Sequence, residues 1–376
     1  MITISEKIML PNKDTKMYDL LVLIGLFGEF PVELLSRIRI SPSYKESMIK
    51  RLRKRGLIKN YSKDGSRGYR PTTVSKNLLF ADNPERFFEY MYENVDNNHV
   101  RSEPRRRERL HRIAEASVTM LNAGVEIFND RRPPLTSLKE TKANVPAFYS
   151  SREIKDIGIE FDKARGTRFV GALFTENDIF ITYNLGKSVV RKWAYKTEMR
   201  TKTVMENEFC LKPQTPHYSC DSIKGIVLAN SMELAYDILT DTTKQYFVLD
   251  KNYDSFYFIT NDEKGEQLLR ILCRPELCDE LDEILMEDLY APYSNSPYET
   301  DAVTKDGIPV HIAYKCDLGR IRRFDTSLAL HEKKGIIYCF DYQAEVLHRY
   351  CSESIEFKTL DFNKVERRFF SSIGEK

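Results

Sequence analysis

The chain has 376 residues, of which 41% are hydrophobic, 11% aromatic and 30% charged. This composition is close to that of ordinary globular proteins and excludes a wholly disordered chain, and the length predicts two or three domains. The net charge of +2 hides an asymmetry, because ten basic and only two acidic residues lie between positions 45 and 70. A basic segment of this kind is typical of a module that binds an anion.

The cysteines and the first apolar run bear on the compartment. The seven cysteines lie outside the first half of the chain and form no Cys-x-x-Cys pair, which indicates reduced thiols. The apolar run at residues 20–28 is preceded by Asp14 and Asp19. It is also far shorter than the roughly 20 residues of a membrane span. We therefore expect a buried helix, no membrane segment and a cytoplasmic protein.

Residues 10–82 are predicted to form one domain of three helices followed by a β-hairpin. Apolar residues of the first helix recur at three- and four-residue spacing up to a turn at Gly28. A second, short helix follows Pro31. The third helix runs to Arg55 and ends at Gly56, since glycine readily adopts the left-handed conformation that closes a helix. Two short β-like runs around a loop rich in glycine and serine predict the hairpin.

The third predicted helix separates a packing face from a polar face. Met48 and Leu52 lie on the packing face, and either Ser41 or Ser43 caps the helix. On the outer face serines come first and cations follow, which suits close approach to a groove and contacts with phosphates on both sides of it. The hairpin adds cations and a tyrosine. The predicted DNA-contacting residues are Ser43, Ser47, Lys50, Arg51, Arg53, Lys54, Lys63, Arg67, Tyr69 and Arg70.

A basic helix face is more often merely solvated, and surface ion pairs contribute little to stability. Two features favour DNA binding here. First, few acids balance the cations. Second, the order of elements is three helices and then a basic hairpin, an arrangement in which the third helix enters the major groove of DNA. A module that binds protein through the same domain is an alternative.

The sequence of residues 48–79, MIKRLRKRGLIKNYSKDGSRGYRPTTVSKNLL, resembles the recognition helix and wing of bacterial winged-helix proteins. In those proteins an Arg-Leu-x-x-x-Gly-Leu-Ile run joins helix to wing. The wider layout, with the helix RRRERLHRIAEA and a later helix that carries Trp193 and Glu198, resembles the replication-relaxation family of plasmid and conjugative elements. This resemblance implies double-stranded DNA as a partner and a role in replication, transfer or transcription control of a mobile element.

The remaining chain is predicted to make the protein an α+β multidomain protein. Residues 83–129 form a helical connector, and 130–152, with three prolines and no period, form a linker. Residues 153–376 alternate strand and helix signals and predict an α/β domain with a mixed sheet. Six arginines against two glutamates at residues 101–112 either face solvent, pair with the acidic C-terminal half, or extend the DNA track.

Within the C-terminal domain, the segments beginning at Lys224 and Lys334 share a Lys-Gly-Ile opening and each predict a strand, a cap and a helix. A strand is predicted at residues 321–328 from its apolar content. Residues 276–288 carry seven acids and no base. Their regular apolar stripe predicts an exposed amphipathic helix that keeps DNA away or docks a basic partner.

A metal-dependent nuclease is the enzymatic alternative, because the resemblance implies a C-terminal domain related to restriction endonucleases. Such a site needs converging carboxylates and a lysine beside the attacking water. Glu153 and Lys155 have the acid-x-Lys spacing, with Asp156, Glu160 and Asp162 nearby, but Glu153 lies at a linker edge.

The rest of the sequence offers little chemistry. The six histidines are scattered, and no glycine-rich phosphate loop follows a strand. We therefore predict no catalytic residues, no metal and no cofactor. The α/β domain is expected to contact a protein partner or a second copy of the chain, as in a homodimer.

Overall fold

The computed structural model describes residues 8–91, 103–156, 166–187, 195–241, 253–292 and 299–370. Its mixture of helices with three sheets agrees with the predicted α+β class. The chain divides into two compact units, the first made of Met1–Leu121 and Glu126–Pro134 and the second of Asn122–Val125 and Leu135–Lys376. In the part of the chain that is described, no helix has the length and apolar character needed to cross a bilayer.

The first unit combines α-helices with one small antiparallel sheet. Its helices are α1 (Lys16–Phe27), a 3-10 helix (Val32–Arg37), α2 (Pro42–Lys54), α3 (Thr73–Asp82), α4 (Pro84–Met91) and α5 (Pro104–Asn122), whose last residue belongs to the second unit. Its strands are β1 (Phe30–Pro31), β2 (Ile58–Lys63) and β3 (Ser66–Pro71). The strand order is β1-β3-β2.

Helix α1 lies in the core of the first unit, which confirms the buried helix predicted from its apolar run. Ten of its 12 residues are buried. At its start Thr15 accepts a hydrogen bond from the backbone N–H of Tyr18, and at its end Gly28 adopts a φ of 69°. The helix therefore ends at the glycine where the apolar pattern stops.

Helix α2 packs on one face only. Met48, Ile49 and Leu52 are buried, which confirms the predicted packing face. The helix begins with Pro42, so Ser41 and not Ser43 occupies the capping position, although its side chain makes no capping hydrogen bond. Proline suits the first helical turn because it has no N–H to leave unsatisfied.

The hairpin of β2 and β3 is longer than predicted. Six residue pairs join the two strands, the last of them Lys63 with Ser66. Asp64 and Gly65 form the turn between them with φ values of 51° and 75°. Two successive positive φ values match the right-handed twist of a hairpin, which explains why the pairing continues to the turn.

The second unit contains two sheets. The five-stranded sheet has the order β4-β5-β6-β7-β8, with β4 (Ala147–Ser150), β5 (Gly171–Phe174), β6 (Ile179–Gly186), β7 (Ile223–Ala229) and β8 (Phe256–Thr260). The four-stranded sheet has the order β12-β11-β10-β9, with β9 (Ala302–Val303), β10 (Pro309–Ile312), β11 (Gly335–Phe340) and β12 (Ile355–Leu360). Each combines parallel and antiparallel pairs, as expected of a mixed sheet.

Helices pack around these sheets. They are α6 (Ser151–Asp156), α7 (Tyr195–Glu206), α8 (Glu233–Thr240), α9 (Glu263–Leu272), α10 (Pro275–Met286), α11 (Leu318–Leu330), α12 (Asp341–Tyr350) and α13 (Phe362–Phe370). Helices α8 and α12 directly follow β7 and β11, which confirms the strand-then-helix design of both Lys-Gly-Ile segments. Both sheets contribute to one apolar core.

Two predictions for this part of the chain are wrong. Residues 130–152 are not a linker throughout, because β4 pairs with β5 and its four residues are buried. Residues 321–328 are helical, because Asp317 accepts a hydrogen bond from the Arg320 backbone N–H at 3.1 Å and starts α11. The buried residues of α11 recur at three- and four-residue spacing, a helical period that the apolar content had obscured.

Replacing the fully buried Ile181 in β6 by alanine removes packing at the middle of the five-stranded sheet. We expect the free energy of unfolding to fall by about 2–5 kcal/mol, measured by denaturant titration with circular dichroism. Leu330→Ala is the matched control, because that side chain is 78% exposed. Equal losses in the two variants would contradict the assigned core.

Candidate nucleic-acid interface

Helix α2 presents its predicted cations to solvent. Lys50, Arg51, Arg53 and Lys54 are exposed, as is Ser43, and Ser47 is half-buried. Within the described ranges none of these four cations forms an ion pair. Cations held close together without counter-charges create a positive potential, which favours an anionic partner.

The hairpin distributes its predicted residues over two faces. Side chains directly paired across two strands share a face, and neighbours along a strand alternate between faces. Lys63 pairs with Ser66, Lys59 with Arg70, Ser62 with Arg67, and Asn60 with Tyr69. Arg67 and Tyr69 therefore share one face, and Lys63 and Arg70 share the other. The ten predicted residues do not form a single surface.

Tyr69 lies where α2 and the hairpin meet. Burial raises the pKa of its phenol, the nearby guanidinium groups of Arg53 and Arg67 act in the opposite direction, and the carboxylate of Glu33 adds a smaller effect in the same direction as burial. Tyr69 is thus close to one cation from the helix and one from the hairpin. We call the exposed cations of α2, together with Arg67 and Tyr69, the basic surface.

Arg70, one of the predicted DNA-contacting residues, is buried. Its side chain is only 10% exposed, and its Nη2 lies 2.6 Å from Oε2 of Glu29. Its Nε donates to the same oxygen at 2.7 Å, and its guanidinium carbon lies 3.4 Å from the ring centroid of Tyr61. Arg70 is therefore engaged inside the first unit and does not belong to the basic surface.

Glu29 is the centre of a buried ion cluster and has no exposed surface. Besides Arg70, its carboxylate accepts a hydrogen bond from Arg107 Nη2 at 2.6 Å and lies 2.8 Å from His111 Nε2. Burial by itself raises the pKa of Glu29, but hydrogen bonds from His111, Arg107 and Arg70 outweigh it and lower the pKa to about 2. The carboxylate is therefore ionised at neutral pH.

Arg107 connects this cluster to the turn of the hairpin. Its Nη1 donates to the carbonyl oxygen of Lys63 at 2.7 Å, and its Nη2 donates to that of Ser66 at 3.1 Å. The ring of Tyr61 lies near the guanidinium groups of both arginines, with 4.7 Å from its centroid to Arg107. Arg107 is 1% exposed, so its side chain does not face solvent.

Gly68 leaves the space that Glu29 occupies. A β-carbon at Gly68 would lie 2.6 Å from Cγ of Glu29, far inside van der Waals contact. Any larger residue would push the carboxylate away from its partners. The glycine of β3 is thus required by packing rather than by backbone conformation.

Glu29, Arg107 and His111 were missed in the sequence, although two signals could have found them. Arg107 lies three residues before Leu110, and His111 lies three residues before Ala114, so both are next to the buried stripe of α5. Glu29 is a single acid inside a long apolar stretch. A charged residue on a buried stripe predicts a charged partner, but the sequence does not say which one.

The acid-x-Lys spacing in the second unit has a structural explanation. Glu153 lies in a helix, not a strand, and its Oε2 accepts the Ser150 backbone N–H at 2.6 Å. The Lys155 ammonium lies 5.3 Å from the ring centroid of Phe169. Glu160 and Asp162, like Trp193, lie outside the described residues. In the portion that is described, no three His, Cys, Asp or Glu side chains could hold a metal ion together.

The acidic segment forms the exposed amphipathic helix that was predicted. In α10, Leu281 and Leu285 are buried, while Asp279 and Glu283 are exposed. Glu280 lies 3.3 Å from Arg368 of α13. The acids of α10 thus form a solvated face with at least one ion pair to the same unit.

The basic surface of the first unit is the strongest candidate for a functional site. Comparison with protein-family models, curated proteins and solved structures gives no match to this chain. Function is therefore inferred from the geometry of the basic surface and from the sequence.

The Glu29 cluster should make stability depend on pH. The folded-state pKa of about 2 lies below the ordinary value of 4.5, so the folded protein binds fewer protons between these values. The resulting contribution, roughly 3 kcal/mol, is complete above about pH 4.5 and is lost as the pH falls towards 2.

We therefore expect the free energy of unfolding of Glu29→Gln to fall less steeply between pH 5 and 2 than that of the unmodified protein, measured by urea titration at each pH. Asp19→Asn, with a carboxylate that is 57% exposed, should leave the pH profile unchanged. Parallel profiles for Glu29→Gln and the unmodified protein would contradict the assigned pKa.

Proposed function

We propose that the first unit is a winged helix-turn-helix domain that binds double-stranded DNA. In this proposal α2 enters the major groove and the β2–β3 hairpin is the wing. The observation that carries it is the basic surface, whose exposed cations have no ion-pair partner among the described residues. The order α1, 3-10 helix, α2 and hairpin supports it, because it is the order expected of a winged helix.

The two ends of α2 have different roles in this binding mode. Ser43 and Ser47 lie near its start, where short side chains allow close approach to base edges and backbone. Lys50 and Lys54 lie one and two turns further along and neutralise phosphates. Arg67 and Tyr69 bring the wing to an adjacent stretch of backbone. Lys63 lies on the face of the hairpin opposite Arg67 and Tyr69. In this binding mode it contacts DNA only because it is next to the turn.

The second unit acts without catalysis in this proposal and contacts a protein partner or a second copy of the chain. The involvement of Glu153 in a backbone hydrogen bond and of Lys155 with Phe169 supports this interpretation over a nuclease. The resemblance of residues 48–79 and of the wider layout supports a role in replication, transfer or transcription control of a mobile element. Mobility shifts on the DNA around the gene, compared with unrelated DNA of equal length, test that role.

The double substitution Lys50→Glu/Lys54→Glu tests the DNA-binding proposal. It reverses two charges in the middle of the basic surface, so we expect loss of most duplex binding at low salt, measured by fluorescence anisotropy. For the unmodified protein, the logarithm of affinity should fall against the logarithm of salt concentration with a slope of roughly −0.9 per phosphate contacted.

Lys333→Glu/Lys334→Glu is the matched control, because it changes the net charge equally at two exposed positions of the second unit. It should leave binding intact. Undiminished affinity of the Lys50/Lys54 variant at low salt would contradict the proposal. Failure of the unmodified protein to bind any duplex would favour a domain that binds protein instead.

A further inference from the structure

We infer that Arg107 is a positioning residue for DNA binding, which acts by holding the wing at a fixed place relative to α2. This inference rests on the proposed function. Arg107 is buried and therefore does not touch DNA itself. It differs from the residues of the basic surface in acting only through the backbone of the hairpin.

Arg107 makes hydrogen bonds to both sides of the hairpin turn. Lys63 and Ser66 are the last pair of the hairpin, immediately before and after the Asp64–Gly65 turn. One guanidinium group donates to the carbonyl oxygens of both, and it also donates to Glu29. The planar guanidinium has five donors in a rigid arrangement, so a single side chain fixes the end of the hairpin to a buried anion.

One of the two carbonyls that Arg107 holds lies next to a residue of the basic surface. Arg67 follows Ser66 directly, so the carbonyl that Arg107 holds is in the peptide unit that leads into Arg67. A two-stranded hairpin has little stability of its own. Without the hydrogen bonds from Arg107, the end of the hairpin would sample more orientations. DNA binding would then have to order it, at a cost in free energy.

Arg107 differs from the other members of the cluster because it also donates to both turn carbonyls. Arg70 of the hairpin and His111, which lies in α5 like Arg107, also contact Glu29. When Arg107 is replaced, these two remain to neutralise the carboxylate. Arg107→Lys is therefore expected to fold while losing the hydrogen bonds to both turn carbonyls.

A double-mutant cycle between Arg107→Lys and Arg67→Ala tests the inference. If Arg107 acts through the wing, Arg107→Lys should lower duplex affinity roughly 3- to 10-fold in the unmodified background and by less than about twofold when Arg67 is already absent. Arg106→Lys, at an exposed position of the same helix, is the control and should leave affinity unchanged. A general loss of stability would reduce affinity equally in both backgrounds.

A second measurement needs no DNA. Hydrogen exchange of the amides of Lys63 and Ser66, the last pair of the hairpin, should be at least about tenfold faster in Arg107→Lys, while amides of α1 keep their protection. If Arg107→Lys fails to fold, Tyr61→Leu loosens the same cluster by removing the ring that lies near both arginines while keeping the ion pairs. It should give the same non-additivity with Arg67→Ala.

Four outcomes are decisive. If the unmodified protein binds no duplex, the proposed function fails and the DNA role of Arg107 fails with it. If the protein binds but the losses from Arg107→Lys and Arg67→Ala add, the proposed function stands and the positioning role is overturned. Unchanged exchange at Lys63 and Ser66 overturns it as well. Non-additive losses together with faster exchange support it.

Discussion

The first unit depends on one buried carboxylate. Removing a carboxylate from water costs several kcal/mol, which only close partners can offset. Glu29 obtains these partners from β3, through Arg70, and from α5, through Arg107 and His111. Because the partners come from two different elements, the hairpin and α5 must adopt one relative arrangement for the charge to be compensated.

This requirement divides the many cations of the first unit into two sets. Arg70 and Arg107 are buried and satisfy Glu29, so they organise the hairpin without reaching solvent. The cations of the basic surface are exposed and have no such partner in the described chain. The buried set can therefore hold the scaffold while the exposed set remains available to an anion.

The sequence predicted correctly those elements that depend on interactions between residues close together in the chain. The buried α1, the packing face of Met48, Ile49 and Leu52, and the helix ends at Gly28 and Gly56 all follow from spacing and from glycine conformation. The same reasoning failed where tertiary contacts decide the outcome. Glu29 and Arg107 are 78 residues apart, and no spacing rule connects them.

Two failures in the second unit have the same origin. The strand β4 joins its sheet only by pairing with β5, and its four residues alone carry too little pattern to stand out from a proline-rich segment. The apolar residues of 321–328 lie at positions 321, 324 and 328, which is helical spacing and not the alternation of a strand, and the cap at Asp317 starts the helix. Arg70 was predicted to contact DNA because it is a cation of the hairpin, but its side chain is buried and pairs with Glu29, a residue 41 positions away that no local pattern connects to it.

The hairpin tolerates substitution differently at Gly68 and at its turn. At the base, a β-carbon would displace Glu29, whereas at Gly65 a β-carbon would meet no atom within 4 Å. Relatives or engineered versions could therefore acquire new recognition properties by altering the turn, at the cost only of its left-handed backbone. Variation at Gly68 would instead require the ion cluster to be rebuilt, so diversity in the wing should concentrate at its end.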